Sequence, residues 1–267
     1  MEKKKPAKSK KNDRKRYIIP NLKKAFELLE MLSESPDGIT FPQMLEKMAC
    51  NKTSLFRILM TIEDMGYIRK NPETDAYSVS RKILSLAYSA LCDSNLIGES
   101  MDILRKVRDI TAETTMLGVL LDDECVMIEQ EYGLHPFNFT GKLGMKSPLH
   151  ASAPGKALLA ALPDDERAAV ISRIKLTKNA ANTITTVPGL EKELERIAAN
   201  GYSSDESEAV DGVNCVAAAI RNSHGYPVAV LWITGPSNRI LAGEFDILGR
   251  QLCDSAKAIS ERLGYTE

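Results

Sequence analysis

The stretch Asn51 to Gly66, NKTSLFRILMTIEDMG, has two unlike sides when wound at 3.6 residues per turn, and few folds accommodate both. Leu55, Ile58, Leu59, Ile62 and Met65 follow the i, i+3, i+4, i+7 spacing and make an apolar face for burial. The other side carries Lys52, Thr53, Ser54, Phe56 and Arg57 toward its N-terminal end. Hydrogen-bond donors, a cation and an aromatic are the groups that read base edges in a DNA major groove. Alone, the stretch describes an ordinary amphipathic helix equally well, so its neighbours must decide.

Pro20 and Asn21 introduce an earlier helix reaching about Ser33, with Leu22, Ala25, Phe26, Leu29 and Leu32 on one face and Asn21 as its cap. After an SPDG turn, Thr40 opens a short second helix, with Gln43 in capping-box register and Leu45 and Met48 pointing inward. Three short helices with a tight break before the third are the helix-turn-helix arrangement, whose last helix is the reader. Gly66 can stop that helix. Tyr67 to Arg69 then run into an NPETD turn, and Tyr77 to Val79 run back as a hairpin wing. Arg69, Lys70 and Tyr77 lie where a wing touches the backbone or minor groove, and Thr40 and Gln43 join them as candidate DNA contacts. The rival reading is a three-helix interaction module with no DNA role.

The charge distribution supports the DNA reading only in part. Residues 1–16 hold nine Lys or Arg against two acids, residues 17–80 seven against nine, and residues 81–267 nineteen against twenty-five. The tail 1–16 is thus expected to be disordered in isolation and drawn to phosphates by counterion release. The apolar run Pro227 to Ile233 is far too short to span a bilayer. The basic N-terminus lacks the apolar segment of a secretory signal, which points to the cytoplasm. Five cysteines, at 50, 92, 125, 215 and 253, form no CxxC pair, which argues against a disulfide framework and a zinc ribbon.

Residues 80–94 read as a linker helix, with Ile83, Leu84, Ala87 and Leu91 along one side, and a further helix runs from Asn95 to about Thr111. The period then changes: Thr115 to Leu121 and Cys125 to Glu131 form a hairpin about a DDE turn. A loop-rich stretch follows, punctuated by Gly133, Pro136, Gly141, Gly144 and Pro148 and containing Phe137, Phe139 and Leu143. Helices are expected from near Pro154 or Gly155, from Pro163 to Arg173 and from Pro188 to Asn200. Strands follow at Tyr202 to Asp205, Val213 to Arg221 and Pro227 to Thr234, and Leu241 to Leu263 repeats as a long terminal helix. Hairpins mixed with helices make an α+β domain.

From Tyr17 to Tyr265 the chain resembles the IclR family of bacterial transcription regulators. The resemblance is carried by KTSLFRIL with MGYI, by LHASAPGKALLA, and by GYSSDESEAVDGVNCVAAAI followed by GYPVAVLWITGP. It implies an N-terminal winged helix-turn-helix (17–79), a linker helix used in dimerisation (80–94) and a GAF-like effector-binding domain (95–267), assembled as dimers or dimers of dimers. It further implies a pocket for a small carboxylate such as a keto acid or sugar acid. Ala153, Pro154 and Gly155 match the family's ligand-contacting block, where a helix N-terminus can hold an anion. Asp205, Cys215, Trp232 and Thr234 match other pocket positions, and Leu143, with Phe137 and Phe139, supplies an apolar lid. Trp232 stands where relatives often carry a small hydroxyl residue, so a bare keto-acid site would be crowded; Asp205 would suit a hydroxylated ligand.

Catalysis and cofactors find no support. Cys215 with His150 has no spacing that makes a nucleophile and base, and the three histidines have none that makes a metal site. Neither a Walker loop nor GxGxxG is present. The expected protein is a ligand-responsive repressor that binds double-stranded operator DNA without metal or cofactor. The alternative is a metabolite sensor acting through a protein partner, which the acidic balance of residues 17–80 favours.

Overall fold

The computed structural model describes residues 17–35, 37–83, 86 and 96–266. The basic tail and most of the expected linker helix lie outside these residues. Contacts divide the chain into two units, Met1–Asp93 and Ser94–Glu267.

In the first unit, α1 (Pro20–Ser33), β1 (Ile39–Thr40), α2 (Phe41–Lys47), α3 (Lys52–Asp64), β2 (Ile68–Lys70) and β3 (Ala76–Val79) follow in order. The strands form a small antiparallel sheet, β1-β3-β2. Asn51 caps α3 by accepting the Ser54 amide at 2.8 Å, and Gly66 at φ +77° ends the helical segment. Leu55, Ile58, Leu59 and Ile62 pack on Leu28, Leu32, Ile39, Met44, Ile68 and Tyr77. Each fully buried side chain of this size contributes roughly 1.5–3 kcal/mol.

Several expectations need correction here. Met65, the last member of the expected apolar face of α3, is exposed because the helix has already ended at Asp64. In α1 the core is built by Leu28 and Leu32, whereas Leu22 and Phe26 are exposed. Asn21 does not cap α1: Ile19 is the N-cap residue, Pro20 opens the first turn, and Asn21 Oδ1 instead accepts from Ser54 Oγ at 3.2 Å.

The second unit is an α+β domain. Its elements are α4 (Leu96–Thr111), β4 (Thr114–Leu121), β5 (Glu124–Glu131), β6 (Lys146–Pro148), α5 (Ala153–Ala161), α6 (Asp164–Ile171), α7 (Val187–Asn200), β7 (Tyr202–Glu206), β8 (Val213–Arg221), β9 (Pro227–Pro236) and α8 (Phe245–Arg262). The six strands form one antiparallel sheet in the order β6-β5-β4-β9-β8-β7. A two-residue turn, with Asp122 at φ +54°, joins β4 to β5.

Both faces of this sheet are covered, and strand alternation divides the side chains between them. Cys215, Ala217, Val230 and Trp232 share one core with Ala153, Ala157 and Leu158 of α5 and Leu190 and Leu194 of α7. Val216, Ala218, Leu231 and Ile233 share the other with Leu104 of α4 and Leu252 of α8. Because neither face meets water, β8 and β9 read as nearly continuous apolar runs.

Candidate functional site

In the first unit, the exposed side of α3 presents Lys52, Thr53, Phe56 and Arg57. Phe56 stands edge-on to Phe41 with centroids 6.5 Å apart. A cavity of about 570 Å³ brings Thr40, Lys52, Thr53, Phe56, Lys70 and Tyr77 together with Phe41, Pro42 and Asp75. Gln43, Ser54, Arg57 and Arg69 are not in its lining. Gln43 Oε1 accepts both the Thr40 amide and its hydroxyl at 2.9 Å, so this part of the pair serves as a helix cap. Ser54 is half-buried, with its hydroxyl on Asn21.

The hairpin is pre-set by its own contacts. Lys70 Nζ pairs with Asp75 at 2.5 Å and sits 5.8 Å from the Tyr77 ring centre; the Asp75 hydrogen bond holds the ammonium pKa above its ordinary value. Arg69 Nε donates to Ser78 Oγ at 3.2 Å. Tyr77, expected on the outer surface of the wing, is buried beneath this pair.

In the second unit, registers align one polar row across four strands. Asp205 of β7 is opposite Cys215 of β8, Cys215 is opposite Thr234 of β9, and Thr234 is opposite Thr114 of β4. All four are buried, and Cys215 Sγ donates to Thr234 Oγ1 at 3.3 Å. The next row on the same face is Ser203, Ala217, Trp232 and Met116. The Trp232 indole reaches the position above Gly118, on the side away from Thr234: a β-carbon at Gly118 would stand 2.9 Å from Trp232 Cζ3. The side chain expected to crowd the polar row therefore tilts off it.

The N-terminus of α5 lies over these rows. Ser203 Oγ donates to the Ala153 carbonyl. Ala153, Pro154 and Gly155 are all buried. Gly155 answers a packing need, because a β-carbon there would meet Leu149 Cα at 2.5 Å and the Pro148 carbonyl at 2.6 Å. Its amide donates to Ser152 Oγ at 3.2 Å, and Pro154 has no N–H. The donor set at this helix end is therefore poorer than its small residues suggest.

Leu143 is 62% exposed, and Phe137 is exposed too, while Phe139 packs on the α5-side core. Phe137 and Phe139 meet edge-to-face at 5.8 Å. The loop carrying them is tied down: Gln130 exchanges hydrogen bonds with Gly141 at 2.6 and 3.1 Å, and Arg239 Nη1 donates to the Phe137 carbonyl at 3.1 Å.

Beside the polar row is a charge cluster that motif reading passed over. Lys156 of α5 is 0% exposed; its ammonium pairs with Glu208 and lies 3.5 Å from Glu193 of α7. Arg196 clasps the same Glu193 through two nitrogens at 2.8 and 2.9 Å. The Glu208 amide donates to Asp205 Oδ1 at 2.6 Å. Burial alone would raise the Glu193 pKa, but Arg196 and Lys156 outweigh it and lower it. Burial also pushes the Cys215 thiol well above its usual range, which makes it a poor nucleophile. Among the described residues no group of three or more His, Cys, Asp or Glu could hold a metal ion, and no helix is long and apolar enough to cross a membrane.

Comparison with known proteins decides the family. A model described as bacterial transcriptional regulator IclR C-terminal matches residues 88–261, and one described as IclR helix-turn-helix domain matches residues 21–72. The chain belongs to the IclR family. It is similar to the HTH-type transcriptional regulator KdgR of Escherichia coli K12, 27% identical over 254 residues, covering 95% of this chain and 96% of that protein. The crystal structure of Thermotoga maritima IclR aligns with a TM-score of 0.71 and 28% identity, covering 92% of this chain and 99% of the other. An IclR homologue from Microbacterium hydrocarbonoxydans, solved in complex with 4-hydroxybenzoate, shares the fold at a TM-score of 0.79 and 20% identity, covering 91% and 98%. Within the IclR family the named relatives are regulators and repressors, so this chain is a DNA-binding transcription regulator and not an enzyme.

Proposed function

We propose that this IclR-family regulator binds a small carboxylate over the Asp205–Cys215–Thr234 row and that occupancy changes its affinity for operator DNA. The observation that carries the proposal is the buried row itself: Asp205, Cys215 and Thr234 line up from adjacent strands under the start of α5, beside a largely apolar core. Burying polar groups is costly unless they are partnered, and a ligand that completes their hydrogen bonds offsets that cost. The complex of the Microbacterium homologue with 4-hydroxybenzoate, an acid, supports the ligand class.

On the DNA side, Lys52, Thr53, Phe56 and Arg57 of α3 are assigned to the major groove, and Thr40, Arg69 and Lys70 to the flanking backbone. Gln43, Ser54 and Tyr77 act by holding these elements in place. A dimer of such units reads a pseudo-palindromic site, because two-fold symmetry in the protein asks for two-fold symmetry in the operator. The ligand acts by preferring one arrangement of the paired units over another.

The test combines a thermal-shift screen of keto, sugar and aromatic acids with a fluorescence titration of DNA from upstream of the protein's own gene, with and without the hits. Binding that weakens steeply with salt and changes with a stabilising acid is the expected result. Stabilisation without any DNA binding at low salt would favour a sensor acting through a protein partner. Reporter transcription read with and without the acid shows whether the regulator represses, as expected.

A further inference from the structure

The charge balance around the polar row points to a property of the proposed ligand site that rests on the reading above. Asp205 and Glu208 face Lys156 from α5, Glu193 from α7 and the Cys215 thiol from β8. Glu193 is already matched by Arg196. His150, buried just before α5, has its Nε2 on the Thr177 carbonyl at 2.9 Å, while Glu206 and Asp211 point to solvent. With every group ionised, Lys156 alone is left to balance both Asp205 and Glu208. The buried cluster then carries a surplus negative charge before any ligand arrives.

An incoming carboxylate would add a second negative charge in a region of low polarisability, where like charges repel strongly. The helix side offers a reduced donor set: Pro154 has no N–H and the Gly155 amide is engaged by Ser152. Glu208 Oε2 is buried and has no hydrogen-bond partner, so it is placed to carry a proton rather than a charge. We infer that an acid binding over the Asp205–Cys215–Thr234 row brings one proton with it, and that the Asp205–Glu208 pair holds that proton. Burial already moves both groups in the required direction, Asp205 up to about 6 and Glu208 up to about 7, against the opposing pull of Lys156.

The consequence is that the regulator responds to the acid and to pH together. Well above the pKa of the free pair the empty site has shed the proton, so binding must take it up again. Affinity then falls about tenfold for each pH unit.

The experiment is isothermal titration calorimetry of the full chain with pyruvate, glucuronate and 4-hydroxybenzoate, at pH 7.5 in HEPES and in Tris, and again from pH 6 to 9. An apparent binding enthalpy that differs between the buffers by about one buffer ionisation per chain, with a dissociation constant rising about tenfold per unit at high pH, is the expected result. In Glu208→Gln, which leaves the Asp205–Cys215–Thr234 row intact, the surplus charge of the empty site is removed, so the buffer dependence and the pH slope should both shrink. Acid binding with no buffer dependence in the unmodified protein overturns the inference and leaves the effector reading standing. An unchanged buffer dependence and pH slope in the folded Glu208→Gln variant moves the proton elsewhere and also overturns it. If none of the three acids binds at any pH, the acid-effector reading fails and the inference fails with it.

Discussion

Gly118 has no side chain at the point where the Trp232 indole crosses from β9 over β4. A β-carbon there would lie 2.9 Å from Trp232 Cζ3, 2.9 Å from the Val126 carbonyl and 3.1 Å from Cys125 Sγ. Two of these neighbours are side chains packed in the core and one is backbone, so none can give way cheaply. Gly118→Ala should lose roughly 1–3 kcal/mol, as overpacked cores do. A urea titration with an unchanged slope and an earlier midpoint would show it, and Trp232→Leu should recover only part, since the Val126 carbonyl remains.

Lys156 balances Glu208 and Asp205, and removing its charge strands both, whereas Glu193 keeps Arg196. Lys156→Met should lose roughly 3–5 kcal/mol near neutral pH. The loss should shrink at pH 5, where the stranded carboxylates take up protons. Equal losses at pH 5 and pH 8 would mean that packing, not charge, is what the side chain supplies.

Stability itself should carry the signature of the raised carboxylates. Asp205 moves from 3.8 to about 6 and Glu208 from 4.5 to about 7, so the folded protein holds their protons more tightly than the unfolded chain. That contribution is complete below about 4 and is lost as pH rises through 6 and 7. Asp102 runs the other way: the Arg262 hydrogen bond holds it down at about 2, so its contribution is present above 3.8 and lost as pH falls toward 2. Unfolding midpoints from pH 4 to 8 should therefore fall from about pH 4 through 7 and level off above it, and Asp205→Asn with Glu208→Gln should flatten that fall.

On DNA, Arg57→Ala should weaken operator binding by roughly 1–3 kcal/mol if it holds a guanine edge, and should relax preference at one base pair. Lys52→Ala should instead weaken binding to all sequences alike and reduce the salt slope by about 1 if it meets a phosphate. Fluorescence titrations at several salt concentrations separate the two roles. A variant that matches the unmodified protein in both affinity and slope removes its residue from the interface.

Much of the architecture is legible where periodicity has one solution. The apolar side of α3 and the runs of β8 and β9 leave little choice, and these elements fall where spacing puts them. In α1 the segment FELLEML offers apolar residues at Phe26, Leu28, Leu29, Met31 and Leu32, so two faces compete and spacing alone cannot choose Leu28 over Phe26. The strands β1 and β6 have two and three residues, too few to show any alternation. The resemblance named Asp205, Cys215 and Thr234, but that they align in one row was legible only from the sheet register, because they have no fixed sequence spacing. Lys156 did leave a signal: a single cation inside GKALLAAL, with small or apolar residues on every side, has no solvated face to occupy and must find a buried counter-ion. Glu208 left none, since SSDESEAVD reads as an exposed acidic turn.

The two covered faces of the sheet set a rule for how these strands can change. In β8, Cys215 and Ala217 face α5 while Val216 and Ala218 face α4 and α8. Inserting or deleting one residue within the strand would exchange the two sets, sending the polar row into the opposite layer and that layer's apolar residues into its place. Single substitutions on β8 can therefore change one layer without disturbing the other. Changes of length are confined to the connections at 207–212 and 222–226, where an added residue leaves both layers in phase.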